Sequence, residues 1–141
     1  MARFDTLTAV AAPLAIDNID TDQIFPARFA NRQRQDGNFG IYYLHDRRFD
    51  RDGNPRPDFI LNDKRLQGAK IVVAAANYAC GSGRSGAIFD QIDFGIRAIV
   101  AESFGAVFSS VAYKSGILTI QLSRDEVAAI RGNCSPISAR R

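Results

Sequence analysis

Most of the chemistry this sequence offers sits in six residues. Gly81-Ser82-Gly83-Arg84-Ser85-Gly86 combines pliable backbone, two hydroxyls and a guanidinium, between an apolar run and a helical stretch. Taken alone it matches GxGxxG, a pattern whose glycines let backbone amides face a dinucleotide pyrophosphate at a helix start. Glu102, sixteen residues past Gly86, ends the next apolar run, close to where a ribose-binding acid would stand. Three features argue against that reading. The loop begins several residues after its strand, Arg84 falls where backbone should close on phosphate, and too few strands follow Glu102 for two nucleotide-binding halves. Ser82 and Ser85 also have a plainer use as helix N-caps. Likewise Asp22, in Asn18-Ile19-Asp20-Thr21-Asp22, can simply close an Asx turn.

Other chemistries have little material. Two cysteines, Cys80 and Cys134, and one histidine, His45, are too few to hold zinc or an iron–sulfur cluster, or to build a Ser-His-Asp triad. The 141 residues are 46% hydrophobic and 23% charged, which suits one folded domain over 1–141. No apolar run reaches the roughly 20 residues that span a bilayer. Asp5 interrupts any signal-like apolar start, so a cytoplasmic location is expected. Of 18 basic residues 15 are Arg, against 15 acids, for a net charge of +3. From Arg28 to Arg56 seven Arg interleave with four Asp. That mixture suits carboxylate binding or an interface and is unlike a nucleic-acid stripe.

The elements that must position these residues are uneven. Phe4 to Leu14 reads as a strand ending at Pro13, Asn18 to Asp22 as a turn, and Ile24 to Ala30 as a one-turn or irregular piece. Asn31 to Gly40 reads as an exposed loop, Ile41 to Arg48 as a short helix, and Asp50 to Pro57 as a turn. The second half is regular: strand Ala69–Ala75, helix from about Ser85 to Ile96, strand Arg97–Ala101, helix Phe104 to Lys114 stopping at Gly116, and strand Ile117–Leu122. Ser123 with Asp125 and Glu126 opens a last helix. Such alternation implies an α/β fold with a parallel sheet, right-handed crossovers and ligand loops at the strands' carboxyl ends.

Asn18-Ile19-Asp20-Thr21-Asp22-Gln23-Ile24-Phe25-Pro26-Ala27-Arg28-Phe29, Pro57-Asp58-Phe59-Ile60-Leu61-Asn62 and Asn77-Tyr78-Ala79-Cys80-Gly81-Ser82 together resemble the small subunits of 3-isopropylmalate dehydratases, the swivelling domains of the aconitase superfamily. Asp93-Phe94-Gly95-Ile96-Arg97-Ala98-Ile99 and Ser103-Phe104 through Phe108 continue the likeness in order, over about Leu7 to Glu126. The resemblance implies an aconitase-type swivelling β/β/α domain with a mostly parallel core sheet. It implies a hydro-lyase of leucine biosynthesis, active only with a large subunit that carries a four-iron–four-sulfur cluster as Lewis acid. This chain itself is then expected to bind no metal or cofactor.

Residue by residue, the resemblance makes Ser82 the base that takes a proton from carbon, and Asp22 a second catalytic residue. Arg84 becomes a bidentate clamp on a carboxylate of the small dicarboxylate substrate, with Gly83 and Arg28 as further substrate contacts. The loop from Asn31 to Gly40 falls where the family varies its contacts to the substrate's side group. Cys80 reads as a packed small residue and His45 as a surface or capping one. The family motif runs Cys-Gly-Ser-Ser-Arg-Glu-His, whereas Gly83 here replaces its second serine and Ser85-Gly86 its Glu-His. Two added glycines should loosen the loop. The chain also stops soon after its third regular strand, so residues 132–141 read as an atypical tail of a shortened or truncated member. Related substrates (2-methylmalate or homoaconitate type), a binding paralogue without catalysis, and a dinucleotide-binding domain remain as alternatives. No nucleic-acid or membrane partner is expected.

Overall fold

β-Branched and small apolar residues dominate the strands, and the computed structural model aligns the strands all in parallel. It describes residues 10–34, 38–81 and 85–134, the last two as helix backbone only. Among these residues β1 (Ala11–Pro13) pairs with β2 (Ile71–Val73), β2 with β3 (Ala98–Ala101) and β3 with β4 (Leu118–Gln121). The register sets Ala12, Val72, Ile99 and Thr119 side by side on one face, and Pro13, Val73, Val100 and Ile120 on the other.

Stepping one way across the sheet with right-handed crossovers brings every connection to the same face. That face carries the main core. Ala12, Val72 and Ile99 meet Ile24 of α1 (Thr21–Ile24), Ile88 of α3 (Gly86–Phe94), and Phe108 and Ala112 of α4 (Phe108–Ser115). Leu44 and Tyr43, just before α2 (His45–Arg48), are fully buried in the same cluster. The chain then crosses over: α5 (Arg124–Cys134) lays Val127 and Ile130 on Ala11, Val73 and Val100 of the opposite face. Its start is a reciprocal cap, with Ser123 Oγ accepting from the Glu126 amide and Glu126 Oε1 from the Ser123 amide.

Several expected elements are shorter or differently placed. The helix expected over Ile41–Arg48 is two one-turn pieces, Phe39–Tyr42 and His45–Arg48, parted by Leu44 at φ 49°. Arg48 braces the break: its buried guanidinium donates to the carbonyls of Tyr43, Gly40 and Ile41 at 2.7, 2.7 and 2.8 Å. The far end of the loop expected to be exposed is buried, because Phe39 stacks on Phe25 at 5.4 Å. Helix α4 starts at Phe108 rather than Phe104, since Phe104 bridges to Tyr78 in parallel. Of the first expected strand, Ala11–Pro13 is formed, and Phe4 to Ala9 lie outside the described residues. No helix of the described residues is long and apolar enough to cross a membrane.

Candidate active site

The three loops leaving the carboxyl ends of β1, β2 and β3 are stitched together by backbone. Asn18 N–H donates to Ala76 O, Ala79 N–H to Ile19 O and Thr21 N–H to Cys80 O, at 2.9, 2.6 and 2.8 Å. From the other side Tyr78 N–H bonds Ser103 O, and Gly105 N–H bonds Tyr78 O. Side chains complete the seam. Asp17 Oδ1 accepts from the Ala76 amide, Ser103 Oγ from the Asn77 amide at 2.8 Å, and Asn18 Oδ1 from Asn77 Nδ2. Asn18, Asn77 and Ala79 all take positive φ, near 60°. For an alanine that conformation costs about 1–2 kcal/mol, and it persists only where neighbours over-determine it. Gly105 shows how close they are: a Cβ there would fall 2.4 Å from Ala79 O and 2.8 Å from Cys80 Cα.

This seam delivers the chain to Gly81, and α3 receives it at Gly86. Ser82, Gly83 and Arg84 lie between, outside the described residues. Ser85 stands at the N-cap of α3, yet its hydroxyl makes no capping bond. The plain capping role that its type suggests is therefore not taken up. Gly86, expected to loosen the loop, instead packs: a Cβ there would lie 2.5 Å from the Phe25 ring.

A cleft of about 360 Å³ opens beside this helix start, lined by Phe25, Ala30, Arg32, Arg34, Phe39, Ser85, Gly86 and Phe89. Phe25, Phe39 and Phe89 give it an apolar wall, and two guanidiniums line it as well. Arg34 is committed: it chelates Asp93 through Nε and Nη2, the latter at 2.6 Å, and its guanidinium lies 4.5 Å over Phe89. Burial would push the Asp93 carboxyl up, but Arg34 and the Phe39 amide hold it below the usual carboxylate range. Arg32 is exposed and its guanidinium pairs with no described residue.

The other two predicted residues lie on neighbouring turns. Asp22 is exposed, and its Oδ1 accepts the Ala27 amide at 3.0 Å, closing the turn out of α1. Arg28 forms a bidentate pair with Asp46 at 2.8 and 2.5 Å, which raises the guanidinium pKa and lowers that of the carboxyl. Cys80 is half-buried and held by its carbonyl bond to Thr21. His45 is half-buried between Phe29 and Phe49, with Nδ1 3.0 Å from Ile41 O. Cys134 ends α5. Glu102 stands apart from the aromatic cleft, 3.9 Å from Arg131 of α5.

Sequence reasoning missed the polar centre behind α3. Tyr43 and Tyr78 share a hydrogen bond of 2.7 Å, Tyr78 reaches Gln91 Oε1, and both phenols are buried. Burial pushes both phenol pKa values well up, so they serve as neutral hydroxyls. No local pattern announces this pair, because the partners are 35 positions apart. The polar residues Asn77 and Ser103 were legible only as motif letters, not as a clamp. Among the described residues no three His, Cys, Asp or Glu side chains come together to hold a metal ion.

Comparison with known proteins gives one consistent answer. The aconitase C-terminal domain profile matches residues 1–125. A 3-isopropylmalate dehydratase small subunit from Dinoroseobacter shibae is 42% identical over 127 residues, 90% of this chain and 63% of the relative. The Gluconobacter oxydans protein of that name is 44% identical over 125 residues, 89% of this chain and 60% of the relative. The one from Sinorhizobium medicae is 40% identical over 135 residues, 96% and 67%. The crystal structure of 3-isopropylmalate dehydratase from Methanocaldococcus jannaschii superposes with a TM-score of 0.61 at 25% identity, covering 84% of this chain and 63% of that one. This chain thus spans about three-fifths of the length of the curated relatives it matches.

Proposed function

The chain belongs to the aconitase C-terminal domain family, and on that premise we propose that it acts as a swivel domain, the small subunit of a 3-isopropylmalate dehydratase. The reaction is reversible loss and re-addition of water, exchanging 2-isopropylmalate with 3-isopropylmalate through an alkene, in the cytoplasm as a step of leucine biosynthesis. The partner is a large subunit. Its four-iron–four-sulfur cluster supplies the Lewis acid, and no residue of this chain is assigned to it.

In this proposal Ser82 takes the proton from the carbon beside a carboxylate, while hydroxyl leaves the neighbouring carbon. A serine alkoxide is a strong base that survives only in a dry cleft with donors aimed at it. The start of α3 offers amide donors, and Phe25, Phe39 and Phe89 keep water from one side. Arg84, beside Gly83, clamps one substrate carboxylate through two parallel hydrogen bonds. Asp22 and Arg28 act from the turn over Thr21–Phe29.

The observation that carries the reading is the aromatic cleft beside Ser85 and Gly86. A malate with a branched alkyl group needs a cationic partner for a carboxylate and an apolar wall for its side group. Arg32, unpaired among the described residues, and the three rings stand together there. Co-expression with a cognate large subunit, then ultraviolet detection of the alkene from 2-isopropylmalate, tests it. A stable complex with turnover is the expected result. A well-formed complex without turnover on isopropylmalate, 2-methylmalate or homoaconitate would leave a binding paralogue, and saturable NADH binding by the chain would revive the nucleotide reading.

A further inference from the structure

A second cleft lies on the opposite side of the sheet, under α5. It has a volume of about 310 Å³ and is lined by Ala15, Asp17, Ala75, Ala76, Glu102, Arg124 and Arg131. Three small side chains make its floor, and two acids face two guanidiniums, so its formal charge sums to zero. It sits at the carboxyl ends of β1 to β3, where parallel sheets present ligand crevices.

Its polar groups are underused. The Glu102 side chain is only 17% exposed, yet its carboxylate makes no hydrogen bond within the described residues. Its one ionic contact is Arg131 Nη1 at 3.9 Å, beyond hydrogen-bond reach. That same Nη1 already donates to Ala74 O at 2.8 Å. A carboxylate set in a cleft with no protein donor is open to a hydrogen bond from a bound N–H group. Arg124 has no partner among the described residues, and the amide end of α5 beside it is already closed by Ser123 and Glu126. Asp17 spends one oxygen on the Ala76 amide.

We propose that this cleft binds a small α-amino acid as its zwitterion, the ammonium on Glu102 and Asp17 and the carboxylate on Arg124. A zwitterion matches the mixed, neutral lining, whereas an anion alone leaves Glu102 without a donor and a cation alone leaves Arg124 without an acceptor. The site is separate from the aromatic cleft and does not depend on the dehydratase reading.

Isothermal titration calorimetry of the full chain with L-alanine tests this, with acetate and ethylamine as single-charge controls. Saturable L-alanine binding is expected, at least 10-fold tighter than either control. Glu102→Gln should weaken it about 10-fold and Arg124→Ala about 5-fold, with melting curves unchanged. Ala15→Leu, which adds bulk to the cleft lining, should abolish it, and Arg65→Ala, elsewhere on the surface, should leave it intact. No saturable heat, equal binding of acetate or ethylamine, or unaltered affinity in Glu102→Gln would each overturn the assignment.

Discussion

Two regions flank residues 82–84, and they are held by different physics. On one side, the loops after β1, β2 and β3 are joined backbone to backbone, with Gly105 pressed against Ala79. On the other, the arginine-bearing segment from Ala27 to Arg48 is tied at its surface by ion pairs: Arg28 to Asp46, both more than half exposed, and Arg34 to Asp93. Backbone-to-backbone bonds carry no net charge to be screened by salt, and at Gly105 the seam leaves no room for an added atom. Exposed ion pairs are screened, and each is worth at most about 1 kcal/mol.

Breaking the seam should give the largest effects. Gly105→Ala puts a Cβ into backbone that cannot yield, and a loss of about 3 kcal/mol in urea unfolding is expected. Ser103→Ala removes the acceptor of the half-buried Asn77 amide and should cost about 1–2 kcal/mol. In the complex it should also lower kcat more than it raises KM, because it shifts the support of the Ser82 loop.

The ion-paired side should yield less. Asp93→Asn should cost under about 1 kcal/mol at neutral pH, with the rise in KM for isopropylmalate exceeding the fall in kcat. Because the native Asp93 carboxyl titrates below its usual value, its contribution is fully present at neutral pH and disappears as pH falls through that lowered value. The stability gap between wild type and Asp93→Asn should therefore close only in acid, below about pH 4. Smallest of all, Arg28→Ala should change stability by less than about 0.5 kcal/mol, an effect that vanishes in high salt. A loss above 1 kcal/mol there would erase the contrast between the two regions.

What could be read from residues follows the same division. Ile71-Val72-Val73 and Ala98-Ile99-Val100-Ala101 announce strands because β-branched and small apolar runs suit a sheet covered on both faces. The last helix is announced by Ser123, Asp125 and Glu126. The long connection from Leu14 to Lys70 is opaque, because distant side-chain bonds set its shape. Arg48 gathers three carbonyls, and Asn62 Nδ2 bridges the carbonyls of Arg48 and Arg56, both at 2.8 Å. No local periodicity encodes such bonds. Of the candidate site, the motif letters around Ser82 were visible, and the aromatic wall of Phe25, Phe39 and Phe89 was not. Those three rings come from segments that meet only when α3 packs on the Phe39–Tyr42 turn.

We propose that this chain brings a proton-abstracting serine, Ser82, to a site completed by a large subunit. The most direct test is turnover of 2-isopropylmalate by the complex carrying Ser82→Ala, beside a pull-down of both subunits. An intact complex with turnover reduced at least 1,000-fold is expected, about 4 kcal/mol of lost transition-state stabilisation. An intact complex that keeps wild-type turnover would contradict it.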